Sequence, residues 1–484
     1  MADPNTNGSS WKILRTIALI GLFAVAIGRT ALFPAWARID EVWGHLATGR
    51  WILAQHAIPR SCVLSQYVNV PWIDTNWAFD AVLGIGYKLL SLRAVTVVGM
   101  ALKLALTAMA FLLAGGRRKF WFALVIAAVM QFVFPEFVAA PINVAIVCFG
   151  IELALLFHWR RTHDARQLYA LPVLFAVWCN FQIQFVLGLI VLALFVGGEA
   201  VRNRLEHAEV PLRPLMLASV GAGVATVLNP YGFYLAPQIF PTLYGSAAFK
   251  YFGELRPLGF RQPQDYLILV LVMGAFLALG RRRSKDIFSF AVLTLAACLG
   301  FRIQRDVWLV AVAAIAVLGD TVSDDQISEV GANANSVWHK PVVVGATAAL
   351  FILFAAIAPN DKRIMALASE SMPVKACDLV RGQNLRGPLF NSLEWGGFIR
   401  WYLPEQPVSI DGRANLYGDE MIREYLTTYF GGRRLESAPL FADAQTIVIA
   451  KNSALRRALT TFPDLTERYQ EIYTDNFASV VVKK

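Results

Sequence analysis

Charge is scarce in this sequence. Asp, Glu, Lys and Arg make up 16% of its 484 residues while 57% are hydrophobic, against roughly 25% charged in an ordinary soluble domain. That shortfall excludes a chain with a normal water-facing surface along its whole length. Cysteine is also sparse: the five present form no C-x-x-C and no His/Cys cluster, which excludes a zinc module and a disulfide framework. Cys148, Cys179 and Cys298 lie in or at the end of apolar blocks, where small buried cysteines are common. Cys62 and Cys377 fall in polar regions on the same predicted side and are not expected to be joined. No internal repeat is found, which removes the usual mark of a transporter built from inverted halves.

What the chain does have is long apolar runs. Ile13–Phe33, Val95–Ala114, Val138–Phe157 and Val342–Ala358 come near the ~20 residues needed to cross a bilayer. Charges inside them are few, Lys103 and Glu152 among them, and no regular polar face appears. The first run is longer than the ~7–15 residue core of a signal peptide, so it is read as a retained helix. The net charge of +10 is not a nucleic-acid footprint. Arg117-Arg118-Lys119, Arg160-Arg161, Arg202 with Arg204, and Arg281-Arg282-Arg283 all sit in short links between apolar blocks, as the positive-inside rule requires. Placing those links in the cytoplasm gives an α-helical polytopic membrane protein of about eleven crossings. Its N-terminus is then cytoplasmic, and a long outer segment, 36–93, follows the first crossing. Segment 77–92 is read as an interfacial helix. The acidic link with Asp320, Asp324, Asp325 and Glu329 stays inside, since acidic residues weigh little in that rule.

Residues 1–359 are therefore expected to form a transmembrane domain and residues 360–484 a small extracytoplasmic α/β domain. In the latter, short β-rich runs (Pro407–Ile410, Thr446–Ala450, Ser479–Val482) alternate with helical patterns (Gly418–Tyr429, Ser453–Thr461), the order expected of an α/β layer.

Immediately outside the first crossing stands Arg38-Ile39-Asp40-Glu41-Val42-Trp43-Gly44-His45-Leu46. On a helix Glu41 and His45 are four apart and share a face. Paired carboxylates with a histidine at the membrane boundary suit general-base activation of a hydroxyl or capture of a divalent cation. The same acids also suit the N-terminus of a helix over 42–55, where they complement its dipole. Both readings stand at this point, and the cofactor is left open.

A resemblance enters on these residues. Asp40 to Ile52 followed by Ile58-Pro59-Arg60 resembles D-x-x-W-x-H-L-x-x-G-x-W-I and its proline turn, the first outer loop of a bacterial family of membrane proteins related to the GT-C glycosyltransferases. Trp72-Ile73-Asp74-Thr75-Asn76-Trp77 is similar to the later part of that loop. Leu228-Asn229-Pro230-Tyr231-Gly232 is similar to its N-P-x-G turn. Asn391-Ser392-Leu393-Glu394-Trp395-Gly396-Gly397-Phe398-Ile399 is similar to its E-W-G-G-Y stretch, and Ile410-Asp411-Gly412-Arg413 through Gly418 to its D-G-R-x-x-x-Y-G.

The resemblance implies an enzyme of the bacterial inner membrane that moves a sugar from a polyprenyl-phosphate carrier to an acceptor at the outer face. Asp40 matches the loop's acidic residue; Glu41 and His45 complete the catalytic set. Arg256, Arg302 and Arg305, placed at the outer boundary, would hold the lipid phosphate, for which arginine forks are suited. Three departures point another way. Gln182 stands where relatives carry His, Ala140-Pro141 where an Arg-Pro pair is expected, and Asn76 where His or Glu is expected. They favour a second reading, a catalytically inactive structural subunit with a protein partner in a membrane complex. A third reading is a transporter or lipid flippase.

Overall fold

A computed structural model describes residues 4–66, 70–134, 138–207, 209–239, 256–282, 286–321, 339–431, 435 and 438–484. Arg283 and the acids Asp324, Asp325 and Glu329 lie outside the described residues. The chain divides into two compact units. One is 1–33, 96–232 and 254–358; the other is 34–95, 233–253 and 359–484.

The first unit is helical. Its described helices are α1 (Pro4–Leu32), α4 (Arg93–Leu113), α5 (Phe120–Val133), α6 (Pro141–Thr162), α7 (Ala170–Phe181), α8 (Phe185–Glu206), α9 (Leu212–Ala225), α10 (Pro263–Arg281), α11 (Ile287–Arg302), α12 (Trp308–Thr321) and α13 (Lys340–Ile357). The numbers α2 and α3 belong to the second unit. Six helices are long and apolar enough to cross a membrane among the described residues, and the chain is a multi-pass membrane protein. Proline opens α6, α10 and α13, where its missing N–H costs nothing.

Several polar side chains inside this unit are tied to backbone. Lys103 Nζ donates to the Phe134 carbonyl at 2.9 Å, Lys119 Nζ to Gly319 at 2.7 Å and Asn180 Nδ2 to Leu228 at 2.8 Å. At one end, Arg160 joins Glu199 on α8 (2.5 Å) and Asp286 at the start of α11 (2.7 Å). Arg202 closes on Glu199 at 3.3 Å. Such charges persist when buried because each is paired.

The second unit holds α2 (Asp40–Gln55), α3 (Trp77–Leu90), α14 (Asp361–Ala368), α15 (Val374–Gly382), β1 (Leu389–Asn391), α16 (Gly396–Tyr402), α17 (Ala414–Tyr429), β2 (Thr446–Ala450), β3 (Tyr469–Thr474) and β4 (Ala478–Lys483). The four strands form one sheet in the order β1-β2-β4-β3. β1 runs parallel to β2, with Phe390 opposite Ile447, while β4 is antiparallel to both β2 and β3. Beneath the sheet lie Phe390, Ile422, Tyr425, Phe441, Ile447, Leu455 and Val481, and the same cluster takes in Cys62, Val63 and Trp72. The outer segment thus packs into the core of the C-terminal residues. Strands β1 and β3 were not foreseen: β1 is only three residues long and follows Gly387-Pro388, and β3 mixes polar Gln470, Glu471 and Thr474 with its apolar residues. Pro407–Ile410 forms only single bridges, from Val408 to Ser65 and to Leu389. Cys62 and Cys377 are both buried free thiols.

Candidate active site

Asp40 and Glu41 open α2 but face different surroundings. Asp40 turns inward: its two carboxylate oxygens accept the amides of Gly397 (3.0 Å) and Phe398 (2.8 Å). These are orphan donors at the start of α16, and a carboxylate there is doubly favoured, by hydrogen bond and by dipole. The approach depends on glycine: a Cβ on Gly397 would lie 2.4 Å from the Asp40 carbonyl oxygen. Burial pushes Asp40 up to about 8, against the pull of those two amides.

Glu41 stays out. Its side chain is 57% exposed, and its Oε1 is 3.6 Å from His45 Nε2. On its other side the imidazole meets Asp80 of α3, Nδ1 to Oδ1 at 2.6 Å, and Asp80 is only 3% exposed. Burial alone would lower His45, but Asp80 and then Glu41 more than reverse it, to about 10. The ring is therefore an imidazolium at neutral pH, held between a buried and an exposed carboxylate. Asp74 stands behind Asp80. Burial and the Asp80 charge raise it to about 8, although its carboxylate accepts the Asn76 amide at 3.0 Å. Helices α2 and α3 can bring these groups together because Gly49 and Gly84 meet backbone to backbone; a Cβ on Gly84 would be 2.5 Å from the Gly49 carbonyl oxygen.

A second charged group lies under α16. Arg413 grips both oxygens of Asp411 (2.6–3.0 Å) and donates to the Val63 carbonyl at 3.1 Å. Its guanidinium covers the Trp72 ring at 4.8 Å. Arg400, buried, approaches Asp411 at 3.4 Å and donates to Thr48 Oγ1 at 2.9 Å. Burial would raise Asp411, but the two arginines hold it down at about 2. This is an ion-paired corner that fixes the D-G-R turn.

The structure thus brings Glu41 and His45 together with Asp80 and Asp74, and directs Asp40 to a helix cap. Asp80 and Asp74 were missed as members of the set. Asp80 sits in an apolar stretch, where a lone acid was itself a usable signal. Arg256, Arg302 and Arg305 belong to the other unit, where they gather on one pair of chain segments: Gln304 N bonds the Arg256 carbonyl at 2.8 Å and Leu258 N the Phe301 carbonyl at 3.1 Å. Arg256 and Arg302 are exposed, while Arg305 is half-buried against Asp306 at 3.3 Å. Arg302 ends α11, whereas Asp286 and its partner Arg160 stand at that helix's beginning, so the three arginines occupy the opposite end from the Arg160–Arg202 cluster. Among the described residues no three His, Cys, Asp or Glu side chains are grouped to hold a metal ion. With His45 engaged on both nitrogens' sides by carboxylates, the donor set does not fit a divalent cation.

No family profile matches the sequence, and no curated protein matches it. Solved structures do. The Archaeoglobus fulgidus oligosaccharyltransferase in the apo form is similar over 91% of this chain and 69% of that one, with 12% identity and a TM-score of 0.50. The fold is that of the GT-C glycosyltransferases. Also similar is ArnT from Cupriavidus metallidurans, over 98% of both chains. Its apo structure gives 14% identity and a TM-score of 0.49, and its structure bound to undecaprenyl phosphate gives 15% and 0.48. At such identities the likeness concerns fold, so the chemistry of this chain has to be argued from its own residues.

Proposed function

We propose that this GT-C protein is a glycosyltransferase moving a sugar from a polyprenyl-phosphate carrier to an acceptor at the outer face of the bacterial inner membrane. The observation that carries this reading is the exposed Glu41 carboxylate backed by His45 and the buried Asp80. An imidazolium 3.6 Å from the Glu41 carboxylate orients it. Glu41 then takes the proton of the acceptor hydroxyl as its oxygen bonds the sugar's anomeric carbon. The bond from that carbon to the carrier phosphate breaks, and the phosphate leaves with the electron pair. Arg256, Arg302 and Arg305 are assigned to the carrier phosphate, since guanidinium forks match its oxygens. Asp40, the position matching the family's acid, is given a positioning role. In this reading the chain crosses the membrane about eleven times, as the sequence expects, with a cytoplasmic N-terminus and residues 360–484 extracytoplasmic.

A second reading rests on Asp40 itself. Its carboxylate is taken up by two amides, and together with the residues that depart from the family pattern this suits a non-catalytic subunit of a membrane complex. Transfer from a panel of polyprenyl-phosphate sugars by the purified protein separates the two. Glu41→Gln is expected to lower turnover by about 10²-fold or more with the melting temperature unchanged. Asp40→Asn is expected to lower the melting temperature as well. Absence of turnover with every donor, together with co-purification of a membrane partner, would establish the subunit instead.

A further inference from the structure

A cavity of about 400 Å³ opens in the second unit, lined by Arg50 and Tyr87 of the outer segment and by Arg381, Asn384, Trp401 and Glu405 among others. None of these residues belongs to the acid–histidine set. Each arginine is fixed before any ligand arrives. The Arg50 guanidinium lies 5.4 Å from the Tyr87 ring centre and donates to the Trp401 carbonyl at 3.2 Å. The Arg381 guanidinium lies 4.4 Å from the Tyr402 ring centre and donates to that residue's carbonyl. Tyr402 is itself held, stacked on Phe398 at 5.2 Å, with its hydroxyl donating to Asp378 at 2.5 Å.

A guanidinium has five N–H donors, and one carbonyl bond leaves most of them for a ligand. Among the described residues neither arginine has a carboxylate within ion-pair range, although Glu405 stands on the same wall. The indole N–H of Trp401 is buried without a hydrogen-bond partner, which native proteins seldom tolerate away from a ligand or water.

We propose that this cavity binds a saccharide bearing an oxyanion, one to two rings in size. The two arginine forks take the carboxylate or phosphate, bidentate recognition being what they are suited to. Asn384, Glu405 and Gln406 face ring hydroxyls, which need both donors and acceptors. A lipid chain or apolar peptide does not fit walls of this polarity, and the volume is that of a small-molecule site. Because the forks are already stacked and bonded, little side-chain freedom is lost on binding. The proposal does not depend on the transfer reaction.

Calorimetry on the full-length protein in detergent tests it with four probes: a digalacturonate, the matching neutral disaccharide, glucose 6-phosphate and inorganic phosphate. A charged sugar is expected to bind at least tenfold tighter than the neutral one. Whether digalacturonate or glucose 6-phosphate leads identifies the oxyanion. Arg50→Gln and Arg381→Gln should each weaken it about tenfold. Both side chains are exposed, so folding is retained, and melting curves verify this. If Arg381→Gln does unfold, protection of Arg381 from phenylglyoxal by the charged sugar in the unaltered protein gives the same answer. Equal binding of the neutral disaccharide, inorganic phosphate binding as tightly as either charged sugar, or affinity unchanged in both variants would overturn the proposal.

Discussion

Replacing Gly397 by alanine should damage the second unit far more than replacing Gly44, its neighbour across the same helix contact. A Cβ on Gly397 lands 2.4 Å from the Asp40 carbonyl oxygen and 2.9 Å from Gly44 N, where ordinary contact begins at 3.4 Å. Both obstacles are backbone, so α16 has to retreat from α2 by about 1 Å. That lengthens the Asp40 bonds, now 3.0 and 2.8 Å, beyond hydrogen-bonding range. Overpacking costs about 1–3 kcal/mol, and losing a helix cap about 0.5–2 kcal/mol; together about 3 kcal/mol is expected. For a unit of this size that corresponds to roughly 6–12 °C in melting temperature. A Cβ on Gly44, by contrast, meets its nearest neighbours at 3.6 and 3.7 Å, and alanine gains about 0.5–1 kcal/mol of helix preference over glycine. Gly44→Ala is therefore expected to be neutral or slightly stabilising. Thermal unfolding in detergent measures both, and hydrogen exchange at the Gly397 and Phe398 amides reports the cap directly. Equal losses in the two variants, or amides equally protected in Gly397→Ala, would refute the argument that Asp40 holds the start of α16.

The remaining expectations concern charge. Asp74 keeps its proton to about pH 8 when folded against an ordinary 3.8, Asp40 behaves likewise, and His45 keeps its own to about 10 against 6.5. In each window the folded protein binds more protons than the unfolded chain, so stability falls as pH rises. The second unit should melt higher near pH 5.5 than near pH 9, and Asp74→Asn should flatten the part of that slope below pH 8; melting curves across this range check it. Arg413→Lys keeps the charge but loses the paired grip on Asp411 and the Trp72 stack. A loss of about 2 kcal/mol and faster proteolysis near residues 60–72 are expected.

The apolar runs and the arginine clusters between them are one-dimensional signals, because crossing a bilayer requires each helix to satisfy its own backbone and length. They determined the membrane class, and the runs Ile13–Phe33, Val95–Ala114, Val138–Phe157 and Val342–Ala358 fall on the helices α1, α4, α6 and α13. The Glu41–His45 spacing likewise placed both on one face of α2 without any knowledge of neighbours. Tertiary structure alone decided which acid faces inward. Asp40 and Glu41 are adjacent and chemically alike, and only the amides of Gly397 and Phe398, more than 350 positions along the chain, distinguish a helix cap from an exposed carboxylate. Asp80 joined His45 for the same reason: two glycines, Gly49 and Gly84, let α2 and α3 touch. Local pattern is written by backbone geometry, which the sequence carries residue by residue. The partner of a buried charge is chosen by packing, which exists only once distant segments have met.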